Sequence, residues 1–181
     1  LTALGAWTEA ADRLRRAEEV ARLPDDEERE LAARACRAEA LAEAGRYDEA
    51  KPLALDVVTR ALSTGATRVQ ILAHRALGLV YLRTAAHDDA LYHFRQAAER
   101  SAEVGMGGSR VWCLARLAEA QLAGDDLPMA EATSSEAVAE AQRLGAEHAE
   151  AEARLVAARC ALGRGDGAAA RDSAGTALAT A

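Results

Sequence analysis

A small residue returns every 40 positions along this chain. Ala10, Ala50, Ala90, Ala130 and Ala170 each stand early in an amphipathic stretch that follows a turn signal. Recurrence in register means an array of similar units, each too small to bury its own apolar face and so obliged to stack on its neighbours. The clearest copy is residues 71–105. Residues 71, 74, 77, 78, 81 and 82 are three or four apart and share one helical face, and residues 90, 91, 94, 97 and 98 share another. Two antiparallel helices need a small side chain where their backbones come closest, which Gly78 and Ala90 supply. Leu77, Tyr81 and Phe94 fill the space around that contact, and Ala97 lets the second helix sit against the first helix of the next unit.

Composition fits such an array. Half of the 181 residues are hydrophobic but only 3% are aromatic, so the core must be built from many small contacts. The chain has three prolines and no β-branched alternating run long enough for a strand, and reads as all-α. A formal net charge of −7 disfavours a nucleic-acid surface. Cys36, Cys113 and Cys160 are odd in number and fall in different units, which points to reduced thiols and a cytoplasmic setting. No run approaches a membrane span, and no signal peptide is visible.

With residue 71 as position 1, the 71–105 copy carries Leu at 7, Gly at 8, Tyr at 11, Ala at 20, Phe at 24 and Ala at 27. This resembles the tetratricopeptide repeat (TPR), with His74 departing from the large residue usual at position 4. The period of 40, against about 34 for the standard repeat, implies longer helices. It is similar to the TPR-like arrays of large bacterial signal-transduction and transcriptional regulators. The resemblance implies a right-handed superhelical solenoid of antiparallel helix pairs.

The repeats are expected as a partial repeat 1–24 followed by repeats 25–65, 66–105, 106–145 and 146–181, all in one array. In the partial repeat, residues 1–4 end a first helix, Gly5 makes the turn, and Trp7, Ala10, Leu14 and Ala17 line the next helix. Pro24 stops that helix, and Asp25 with Glu28 forms a capping box. Gly45 suits a helix end with positive φ. Pro52 falls in the first turn of its helix, and Arg37 at position 7 weakens the second repeat. Ala85 stands where Gly is expected, Gly124 comes one residue early, and residues 105–108 form the loosest connection. The chain begins at Leu1 and lacks a capping helix after Ala181, so it is expected to be a fragment of a longer protein.

No catalytic, cofactor-binding or metal-binding constellation is visible, and no enzyme activity is expected. His74, His87, His93 and His148 contain no i, i+4 pair and read as surface or groove-edge residues. The serines lack a nucleophile elbow. In TPR arrays the first helix of each repeat lines a concave groove through positions 2, 5, 9, 12 and 13. That implies Leu72, Arg75, Leu79, Leu82 and Arg83 in the third repeat, Trp112 and Glu119 with neighbouring Arg116 in the fourth, and Arg159 in the fifth. These make an apolar strip edged by guanidinium groups, suited to a partner helix or peptide with apolar and acidic residues. The family's carboxylate clamp needs Asn in the groove, and this sequence has none.

The function expected is a non-catalytic protein–protein interaction scaffold within a larger bacterial regulatory protein, with a protein or peptide partner in the groove. It requires no cofactor, makes no direct nucleic-acid or membrane contact, and allows self-association through exposed array ends. The alternative is a small-ligand or peptide sensor controlling an effector domain elsewhere in the protein.

Overall fold

In the computed structural model, residues 2–21 and 27–180 are described. They form nine helices and no strand: α1 (Thr2–Ala21), α2 (Glu27–Glu43), α3 (Tyr47–Thr64), α4 (Thr67–Arg83), α5 (His87–Glu103), α6 (Gly107–Ala123), α7 (Leu127–Leu144), α8 (Glu147–Gly163) and α9 (Gly167–Thr180). The turns set this regularity. Residues 45, 65, 85, 105, 125, 145 and 165 take positive φ, 20 positions apart, and they are the only described residues that do. In each turn the next residue donates its N–H to the carbonyl five positions back: Arg46 to Leu41, Ala66 to Ala61, Ala86 to Tyr81, Met106 to Ser101, Asp126 to Gln121, Ala146 to Ala141 and Asp166 to Ala161. This six-to-one bond is the Schellman closure, and it needs a left-handed residue just past the helix. The same residue's carbonyl then accepts the first bond of the following helix, as from Ala50 to Arg46 and from Ala170 to Asp166. One residue therefore ends one helix and begins the next, and turns within and between repeats are alike.

The structure departs from the sequence expectations at several places. Gly5 lies inside α1 and makes no turn. Trp7 and Ala17 are exposed on that helix, and Ala11 with Glu18 faces the interior. In the 124–128 turn Asp125 takes the left-handed conformation at φ 62, so the turn keeps register while Gly124 is ordinary backbone. Residues 105–108 form a turn like the others, with Gly107 already helical. Pro52 is the sixth residue of α3, past its first turn, and cannot donate to the Asp48 carbonyl. Pro24 and Asp25, and with them the expected capping box, lie outside the described residues.

The chain divides into two compact units, residues 1–100 and 101–181, with the division in the last turn of α5. In the first, α2 packs on α1, α3 and α4, and α3 packs on α4. Its core gathers Leu31, Ala35, Ala54, Val57, Ala61, Val69 and Leu77. Gly78 makes room there: a Cβ on it would lie 2.5 Å from the Phe94 ring, which brings α5 onto α4. In the second unit α6 packs on α7 and α8, α7 on α8, and α8 on α9. Val111, Leu117, Ala118, Ala130, Ala137 and Val156 fill its interior.

Candidate functional site

The first helices of the repeats are α2, α4, α6 and α8. In the first unit Arg75 on α4 donates to Glu39 on α2 at 2.6 Å, across the repeat boundary. The Cys36 thiol beside them is pushed up, first by burial and then by Glu39, with Arg75 opposing. On the other flank of α2, Arg37 reaches Glu18 of α1 at 3.0 Å, and Arg34 reaches Glu18 at 3.6 Å and Asp56 at 2.7 Å. Position 7 of the second repeat is thus an ion pair to a buried carboxylate where its counterpart Leu77 is apolar. Of the residues expected in the groove, Leu79 and Leu82 are buried and Leu72 is partly buried against the core. Arg83 is exposed. The apolar part of the expected strip is therefore mostly packed interior in this unit, and Arg75 is engaged by Glu39.

In the second unit the same face is organised by Glu119, which is buried. One of its oxygens accepts from Arg116 at 2.8 Å and the other from Arg159, 40 residues on, at 2.9 Å. A buried carboxylate held by two guanidinium groups is satisfied on both oxygens. Arg116 also lies 3.9 Å from Glu152, and its guanidinium sits 5.4 Å from the centre of the half-buried Trp112 ring. Along α8, Leu155, Arg159 and Leu162 follow at spacings of four and three. They share one face, and both leucines are exposed, by 50% and 63%.

A second cluster went unseen in the sequence. His74 on α4 is buried, not superficial, and its Nδ1 lies 2.8 Å from His93 Nδ1 on α5. One ring must donate and the other accept. Burial pushes both imidazoles down to about 4, helped for His74 by its partner and Arg100 and opposed for His93 by Asp89. His93 stacks on Tyr81, with centroids 5.3 Å apart and planes 2° from parallel. Lys51 of α3 caps the other part of this stack, its Nζ 4.7 Å from the Tyr81 centroid. The available signal was His74 itself, standing at the position where a TPR places a large residue.

The second unit holds an open recess of about 430 Å³ between α7, α8 and α9. Ser134 and Cys160 are buried on its wall, and Arg164 with Glu131, 2.9 Å apart, lines it as well. No group of three metal-ligating side chains occurs among the described residues, and none of their helices is long and apolar enough to cross a membrane.

No family profile matches the chain, and no curated protein matches it. Solved structures do. BtubC (BKLC) from P. vanneervenii matches with a TM-score of 0.72 at 19% identity, over 99% of this chain and 72% of that one. A Podosopora anserina putative kinesin light chain with nearly identical TPR-like repeats matches with a TM-score of 0.69 at 21% identity, over 97% of this chain and 87% of that one. A variant of that protein gives a TM-score of 0.72 at the same identity and coverage. At such identities the likeness speaks to fold. The 20-residue turn ladder, the paired helices and these matches together make the chain, in fold, an all-α TPR-like repeat array.

Proposed function

We propose that the chain is a non-catalytic interaction scaffold, the TPR-like region of a larger bacterial regulatory protein, and that it binds a protein partner along the first-helix face of its second unit. The observation that carries this reading is the stripe Leu155–Arg159–Leu162 on α8. Two leucines are left exposed on one face, with an arginine between them whose position is fixed by Glu119. Arg116 borders Glu119 and in turn lies against Trp112 and near Glu152. A partner helix with an apolar ridge and an acidic residue fits such a stripe: apolar contact supplies affinity, and the preset guanidinium fixes register. Prealigned charges lose little freedom on binding.

The test is a photo-crosslinking residue placed at Leu155 or Leu162 in cells, with Ser63 of the first unit as control. The reading expects a discrete protein adduct from both α8 positions and none from Ser63. The adduct should fall by about tenfold or more with Leu162→Asp or Arg159→Glu, on the scale expected for a buried apolar or charged contact. Adducts that are equal at all three positions, or indifferent to these substitutions, would put the partner surface elsewhere.

A further inference from the structure

The two units share one register. Helix α3 (Tyr47–Thr64) has the same length as α7 (Leu127–Leu144), 80 residues on, and α4 (Thr67–Arg83) the same length as α8 (Glu147–Gly163). The turns at Ala85 and Gly165 match too. Each residue of the recess between α7, α8 and α9 therefore has a counterpart between α3, α4 and α5. Tyr81 corresponds to Ala161, His93 to Ser173, and Lys51 to Glu131. In the first unit this place is filled by two stacked rings under an ammonium group. In the second unit both rings are cut back to small side chains, and the space stays open. The cation is not lost: Arg164 stands at the recess in place of Thr84, held 2.9 Å from Glu131.

We infer that this recess is a binding site for one planar aromatic ring, presented by a tyrosine side chain of a protein partner. The first unit shows what the fold accommodates here, namely a phenol ring lying flat beneath a cation. In the second unit the walls offer Ala157, Ala161 and Ala169 for the ring faces and Arg164 for its π surface. The recess is open to solvent on one side, so a ring can enter while its backbone stays outside. The guanidinium is also more weakly hydrated than an ammonium, which favours stacking on an incoming ring. The inference takes from the scaffold reading only that the ring comes from a protein; the recess itself rests on the register of the two units, and it is separate from the α8 leucine stripe.

The experiment is amide-resolved NMR titration of the whole chain with p-cresol, N-acetyltyrosinamide and cyclohexanol. For p-cresol the expected result is saturable shifts confined to the recess residues, with affinity on the order of millimolar for a ligand this small. N-acetyltyrosinamide should bind at least as well, and cyclohexanol far less. Ala161→Tyr with Ser173→His rebuilds the first unit's stack and should abolish the p-cresol shifts while raising the melting temperature. Should that variant fail to fold, Ala169→Leu narrows the recess and should weaken p-cresol by about tenfold. Absent or scattered p-cresol shifts, cyclohexanol binding as well as p-cresol, or an Ala169→Leu chain that binds p-cresol undiminished would each overturn the site. Binding of p-cresol with exclusion of N-acetyltyrosinamide would overturn the protein source of the ring. Loss of the recess would leave the crosslinks from Leu155 and Leu162 untouched, so the two readings fail separately.

Discussion

The His74–His93 pair makes the first unit sensitive to acid. Both folded-state values lie near 4, below the ordinary imidazole value of 6.5. Between those limits the unfolded chain takes up protons that the folded chain refuses, so stability is present above about pH 6.5 and is lost as pH falls toward 4. From pH 6.5 to 5 one ring accounts for about 2 kcal/mol. Melting curves for the wild type and for His74→Phe, taken across this range, should converge at the acid end, since Phe cannot take up a proton. Glycine 78 gives an opposite-signed case. Gly→Ala inside a helix gains about 1 kcal/mol from propensity, but the new Cβ would stand 2.5 Å from the Phe94 ring. Overpacking of that kind costs about 1–3 kcal/mol, so Gly78→Ala should lower the denaturation midpoint. Adding Phe94→Leu should recover part of the loss, which a double-mutant cycle in urea would read directly.

At the scale of the element, the turns carry unequal residues in one conformation. Ala85 sits at φ 59 and Asp125 at φ 62, where glycine occupies the other five positions. Left-handed backbone costs a non-glycine residue about 1–2 kcal/mol, partly offset by the extra freedom glycine has when unfolded. Ala85→Gly should therefore stabilise by about 0.5–1 kcal/mol in chemical denaturation, and Gly45→Ala should destabilise by a similar amount. Among its described residues helix α9 buries only the small side chains Ala170 and Ala177, Leu178 is 80% exposed, and a Cβ added to Gly175 would meet nothing within 4 Å. Repeat arrays sum their contacts locally, so hydrogen exchange should be fastest over residues 160–181. Helix pairing was legible in the sequence because small residues recur where backbones approach, as at Ala50, Gly78 and Ala90. The turn at 125 was not, because Asp can adopt a conformation that glycine merely prefers. The histidine pair was not either: its members are 19 residues apart on two helices, and helical spacing reports neighbours only within one.

At the scale of the whole molecule, ion pairs join successive first helices. Arg75–Glu39 and Arg159–Glu119 each tie one repeat to the next, and the groove residues legible from TPR register turned out to include the ones so engaged. Register places a residue on a face, but it does not tell whether a neighbouring repeat has already claimed its charge. Glu119→Ala would leave two guanidinium groups without their shared acceptor. A loss of about 2–4 kcal/mol is expected by thermal or urea unfolding, with Glu119→Gln milder because it keeps one acceptor. The turn ladder has a further consequence, for descent. Since every helix ends on the same Schellman closure at the same interval, a splice of 40 residues is silent at the backbone. Removing residues 66–105 would set Met106 directly after Gly65, with Ala61 carrying the carbonyl that Ser101 now supplies. Copy number in such a chain is free to drift by gain or loss of whole paragraphs of sequence. An insertion inside a helix that is not a multiple of 20 residues would put that helix out of step with the ladder of turns.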